Sequence, residues 1–207
     1  MKNYSKLYFE SISQGLNNSI YLINQKKINS ELFFEKLIKL TSDLKNSKSR
    51  IFFIGNGASA SFANHMALDW SKNGGILSHS LSDSSLLTAL SNDYNYESAF
   101  SEFLKINNVS SSDLVVTVSS SGNSGNITNV LDFCIENKIQ TLGLSGLKND
   151  NKSIIKANYS IYVPSKTYGM VECIHQIFLH LWLDYFMNVK EWSRDSYQNM
   201  NSDNFTI

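Results

Sequence analysis

Cysteine and proline are nearly absent from this chain, and charge is scarce. Only two cysteines occur in 207 residues, Cys134 and Cys173, and both fall in apolar, helix-like stretches. A disulfide-stapled scaffold is therefore not the reading; two buried thiols in a reducing compartment are. Pro164 is the single proline and glycines number ten, so little interrupts long helices. Charged residues make up 17%, below the usual share of about a quarter, and Asn and Ser solvate much of the surface instead. Eighteen basic residues cancel eighteen acidic ones. Without a field of one sign, neither a nucleic-acid partner nor a membrane surface is expected. No run of about 18 apolar residues exists, because the nearest candidate, Ile174 to Met187, is broken by His175, Gln176, His180 and Asp184. The first residues, MKNYSKLYFESISQG, lack the apolar centre of a secretory signal. The expected location is cytoplasmic.

What the chain does contain is enough to fold. Hydrophobic residues are 42%, with 12 Phe, 10 Tyr and 3 Trp, which supports a substantial core. At this length one domain is expected. It spans 1–190, with a sheet core from about 49 to 190 and a polar tail, 191–207, expected to be partly disordered.

The first 48 residues predict two helices. Leu7, Ile12, Leu16, Ile20 and Ile23 recur at helical spacing, then Leu32, Phe33, Leu37, Ile38 and Leu44. Asn29 or Ser30 can cap the second, with Glu31 in its first turn. The period then changes. Ile51 to Ile54 is a short apolar run closed by Gly55-Asn56-Gly57, and a helix follows to about Ser71. Leu77 to Leu81 is a weak strand, and two short helices lie between Ser82 and Asn107. Asp113 to Val118 is the clearest strand. It ends in Ser119-Ser-Ser-Gly-Asn-Ser124 and leads into a helix to about Asn137. Strands at 141–145 and 159–163 follow, then a helix from about Tyr168 to Val189. Apolar strands alternating with helices predict a parallel sheet covered on both faces.

Two strand-to-helix turns carry the chemistry. Gly55-Asn-Gly-Ala-Ser59 and Ser119 to Ser124 both lie where strands of an open parallel sheet end, the usual place for ligands. Free N–H groups at a helix start suit an anion, and Ser59, Ser119, Ser120, Ser121 and Ser124 add hydroxyl donors. With no lysine in either turn this is not a Walker-type nucleotide loop, and the glycine spacing does not fit G-x-G-x-x-G. Hydroxyls and amides suit a sugar phosphate better than a triphosphate. Serines in such turns also simply cap helices, and these residues alone leave both readings open. On the helix after the first turn, His65 and Asp69 share a face by their i, i+4 spacing. On the last helix Glu172, Gln176 and His180 lie within about 80° of one another, while His175 points to a neighbouring sector. His65, Asp69, Glu172 and His180 could form an acid/base pair with helpers, or a four-ligand zinc site. Ser91-Asn92-Asp93 reads as a helix cap that could instead reach sugar hydroxyls.

Taken together, Gly-Asn-Gly-x-Ser, His65 on the next helix, Asn92-Asp93, Ser-x-Ser-Gly-Asn-Ser, and a last helix with His175 and His180 resemble the SIS (sugar isomerase) domain. Within it the chain is most similar to bacterial phosphoheptose isomerases, over about residues 5–190. The resemblance implies a three-layer α/β/α sandwich with a five-stranded parallel sheet, preceded by two N-terminal helices, and a homotetramer with active sites between subunits. It implies a substrate phosphate on Ser59, Ser119, Ser121 and Ser124 with Ser120 beside them. Asn56, Gly57 and Ala58 would line the sugar, and Asn92 and Asp93 would reach its hydroxyls. Asp69 stands where the family has a glutamate base, and Glu172 where it has a glutamine. His180 is the partner acid/base, and His65, Asp69, Glu172 and His180 are the positions that bind zinc where metal is seen. The activity implied is interconversion of sedoheptulose 7-phosphate and D-glycero-D-manno-heptose 7-phosphate through an enediol. Its products go to ADP- or GDP-heptose for lipopolysaccharide or capsule.

Three departures stand out. Asp69 is one methylene short, about 1.5 Å, and a misplacement of that order can cost about 10²-fold in rate. Glu172 adds negative charge. Tyr168-Gly169-Met170 lacks the family's aspartate before the last helix. Two alternatives follow. One is a non-catalytic SIS regulator of the kind that associates with the replication initiator; such relatives lose the acid and the last histidine that this chain keeps. The other is an isomerase or sensor for a different phosphosugar.

Overall fold

A computed structural model describes residues 3–189; the tail expected to be disordered lies outside them. Helix α1 (Tyr4–Asn17) is followed by a hairpin, β1 (Ile20–Ile23) and β2 (Lys26–Ile28), and by α2 (Ser30–Asn46). The sheet domain then runs β3 (Ile51–Gly55), α3 (Ala58–Asp69), β4 (Ser78–Ser80), α4 (Ser84–Asp93), α5 (Ala99–Ile106), β5 (Leu114–Ser119), α6 (Gly125–Glu136), β6 (Gln140–Gly146), α7 (Lys152–Lys156), β7 (Tyr159–Val163) and α8 (Tyr168–Phe186). A π-helical turn, Trp70–Gly74, extends α3.

The strand order is β2-β1-β7-β6-β5-β3-β4. The five strands from β7 to β4 are parallel, as expected. The sheet as a whole has seven strands and is mixed, because β1 pairs antiparallel with both β2 and β7. This corrects the purely helical reading of residues 1–48. Leu16, Ile20 and Ile23 fit helical spacing, but Ile20 to Ile23 form a β-branched and aromatic run. Asn24 and Gln25 then take φ of 47° and 67°, the two left-handed residues that close a two-residue hairpin. The hairpin covers the β7 edge, and the exposed Lys26 and Lys27 blunt the new edge. Tyr21 anchors it among Phe33, Phe34 and Phe178, with ring centroids 5.4–6.0 Å away.

Strand alternation splits the core. Ile51 and Phe53 face α2, α3 and α8 in a cluster with Phe33, Leu37, Met66, Trp70, Ile174 and Trp182. Phe52 and Ile54 face α4, α5 and α6, with Leu90, Phe100, Phe103, Ile127 and Val130. With both faces covered, the strands read as continuous apolar runs. At its start, β3 is tied to β5 by Arg50, whose Nη2 lies 2.8 Å from Asp113 Oδ2. Burial pushes the Asp113 carboxyl up, but Arg50 and two backbone N–H groups outweigh it and hold the group below its ordinary value. Among the described residues no helix is long and apolar enough to cross a membrane.

Candidate active site

The chain order reverses at β3, with β4 on one side and β5 on the other. This is the topological switch point, where a crevice opens beyond the strand ends. Gly55 and Val118 are in register there, so the two turns of interest are neighbours. Each needs a glycine. A Cβ on Gly55 would strike the Ser59 backbone, and Gly122, at φ 63°, leaves no room beside Asn151.

α2, α4, α7 and α8 are each capped by a side chain, from Asn29, Asp83, Asn151 and Thr167. α1, α3, α5 and α6 have no side-chain cap, so Ser124, which precedes α6, makes no capping bond. Ser119 Oγ accepts from Gly122 N at 3.2 Å and Ser121 Oγ from Asn123 N at 3.3 Å. Ser120 Oγ is buried with no partner. A cavity of about 100 Å³ is lined by Asn56, Ser59, Ser119, Ser120, Ser121, Ser124, Tyr168 and Glu172. It is small, polar and fringed by unpaired donors, which suits a phosphoryl group.

The second part of the site is built by α3 and α8. His65 Nε2 lies 3.1 Å from Asp69 Oδ2, and the His65 and His180 rings meet edge to face with centroids 5.3 Å apart. Ligand atoms of His65, Asp69 and His180 all lie within 4.8 Å of one another. The short aspartate therefore still reaches the histidines. Two imidazoles and a carboxylate are a donor set that fits zinc. Glu172, the fourth expected ligand, is not in this cluster. It lines the serine cavity and also a groove of about 710 Å³ that holds Phe62, Gln176 and His180, and so connects the two parts.

Other expected residues are placed differently. The Asn56 side chain is spoken for: its Oδ1 accepts from Tyr96 Oη at 2.7 Å and from Asn126 Nδ2 at 3.0 Å, and its Nδ2 donates to Asn126 Oδ1 at 2.9 Å. Gly57 and Ala58 form the start of α3. Asn92 and Asp93 end α4, bonded to each other at 3.0 Å and exposed, and they do not line the serine cavity. His175 is fully buried, its Nε2 3.2 Å from the Ser145 carbonyl. Burial drives its pKa down to about 4, with the Ser145 contact opposing in part. Sequence reasoning missed Tyr96 and Asn126. Asparagine in the first turn of an apolar helix was the one available signal for Asn126.

An open α/β sheet with serine-built turns at its switch point and an imidazole–carboxylate cluster beside them defines a sugar-phosphate protein of the SIS class. No family model matches the chain. It is 33% identical over 153 residues to a phosphoheptose isomerase of Aneurinibacillus thermoaerophilus, covering 71% of this chain and 76% of the relative. It is 34% identical over 139 residues to phosphoheptose isomerase 2 of Campylobacter jejuni, covering 64% and 68%. The structure of a phosphoheptose isomerase from Neisseria gonorrhoeae superposes with a TM-score of 0.74 at 23% identity, over 89% of this chain and 98% of that one. The chain belongs to the phosphoheptose isomerase family.

Proposed function

We propose that this protein is an aldose–ketose isomerase that interconverts sedoheptulose 7-phosphate and D-glycero-D-manno-heptose 7-phosphate. The carrying observation is convergence: Glu172 lines both the serine cavity and the groove that leads to His180. A phosphate held by Ser59, Ser119, Ser120, Ser121 and Ser124 leaves the other end of the sugar to the cluster of His65, Asp69 and His180.

From the ketose, Asp69 takes a proton from C1 as the C1–C2 double bond forms, and His180 gives a proton to O2. Asp69 then returns its proton to C2 while His180 takes the proton of O1, giving the aldose. No proton or electron is gained or lost overall. Zinc on His65, Asp69 and His180 would polarise the substrate carbonyl oxygen. Gly57 and Ala58 at the start of α3 stand beside the sugar, and Asn92 and Asp93, exposed at the end of α4, are offered to its hydroxyls.

We further propose that the 1–190 unit assembles as a homotetramer. Exposed apolar side chains on two helices, Tyr4, Leu7 and Phe9 on α1 and Ile177, Leu181 and Tyr185 on α8, support this. A cytoplasmic location goes with a phosphorylated substrate and with two free thiols. The product feeds nucleotide-heptose synthesis for lipopolysaccharide or capsule.

The test is turnover of sedoheptulose 7-phosphate by the purified protein, with and without added zinc. Binding without turnover in both conditions overturns the isomerase reading in favour of a phosphosugar-binding regulator.

A further inference from the structure

We propose that Gln176 is a positioning residue for His180, holding its ring in one tautomer. This rests on His180 being the proton carrier of the reaction. Gln176 sits one turn before His180 on α8, and its side-chain Nε2 lies 2.7 Å from His180 Nε2. No other side-chain hydrogen bond of Gln176 occurs among the described residues, and its Oε1 is buried without a partner.

That arrangement is unfavourable for stability, because a buried amide oxygen left unpaired has lost its water without gaining a partner. The groove around it is lined by Phe62, Ile177 and Leu181 as well as by Glu172, His180 and Asp184, yet of these polar groups Gln176 bonds only His180. An aliphatic side chain at 176 would avoid the unpaired oxygen. A polar group whose side chain touches one partner and leaves its own oxygen unpaired is expected where function requires it. Here the partner belongs to the imidazole–carboxylate cluster.

The chemistry of imidazole supplies the role. Its two nitrogens are distinct, and the bond made by one fixes the duty of the other. With Nε2 engaged by the amide, Nδ1 is left for the substrate. If the amide donates, Nδ1 carries the proton; if its carbonyl accepts, Nε2 does. In both cases one tautomer is selected, where a free ring exchanges between two. A proton carrier held this way enters each turnover in the right form.

The experiment compares wild type with Gln176→Leu and Gln176→Asn, the latter keeping an amide but drawing it back by about 1.5 Å. Ring nitrogens of ¹⁵N-histidine-labelled metal-free protein are read by NMR at pH 8, with the His180 signal assigned by its loss in His180→Asn. Wild type should show one tautomer at His180, and both variants a mixture. In Gln176→Leu, kcat should fall about 10–100-fold, the range for loss of a group that orients a ligand. KM should move less than about threefold, and the thermal midpoint should hold or rise. A tautomer ratio unchanged by both substitutions overturns the proposal. So does a lowered midpoint with unchanged kcat, which marks a packing residue. If wild type itself shows no turnover, the isomerase reading fails, and the tautomer measurement still decides whether Gln176 positions His180.

Discussion

The two parts of the site are made in different ways. The serine cavity is built from backbone: two uncapped helix starts, two glycine-dependent turns and buried hydroxyls, fixed to the strand ends of one sheet. The imidazole–carboxylate cluster is built from side chains on two helices, and it is more open, with the His65 side chain half exposed. A group that only holds a phosphate gains from rigidity and fixed dipoles. Groups that exchange protons must reach a substrate and release it. His175 joins the two parts mechanically. It rides on α8 and contacts the Ser145 carbonyl, Ser145 pairs with Ser119 across the sheet, and Gly146 N donates to the Ser120 carbonyl.

Removing the reacting side should cost most. His180→Ala is expected to lower kcat by about 10²–10⁴-fold while calorimetry finds phosphosugar binding nearly unchanged. Equal loss of both would erase the division between holding and reacting. The link comes next. His175 has a folded pKa of about 4, below its ordinary value of 6.5, so the unfolded chain binds the extra proton first. Stability should therefore be whole above about pH 6.5 and decline toward pH 4, by about 3 kcal/mol from this group. Denaturant titrations across that range should show a flatter acid limb in His175→Asn. The holding side shows the smallest effect. Ser120→Ala removes a buried, unpaired hydroxyl, so thermal stability should stay level or rise while inorganic phosphate binds about tenfold more weakly, the worth of one hydrogen bond to a charged group. Unchanged phosphate affinity would take Ser120 out of the cavity's chemistry.

These differences track what could be read without coordinates. β3 and β5 were legible because both of their faces are buried and each appears as an apolar run, whereas β4, a three-residue Ser-His-Ser edge strand, gave only a weak signal. The serine turn was legible because its residues are contiguous, although capping and anion binding share one residue signature. In the fold Ser124 makes no capping bond, and Ser120 Oγ is buried without a partner. The hairpin was not legible. Ile20 and Ile23 fit the helical i, i+3 spacing, the four-residue apolar run Ile20 to Ile23 is too short to establish a period of its own, and a Gln at a left-handed position is a weak turn signal. Gln176 shared a face with His180 in the sequence, but its contact depends on rotamers that spacing leaves free.

The sequence by itself determined the alternation of strands and helices, the two turns and the face on which His65 meets Asp69, because each depends on neighbours within a turn or a strand. It took the packing of distant segments to bring His65, Asp69 and His180 together from α3 and α8, to place Glu172 between the two cavities and outside that cluster, and to engage Asn56 with Tyr96 and Asn126. Those facts depend on how distant segments pack, and local spacing carries no information about a crossing between helices more than a hundred residues apart.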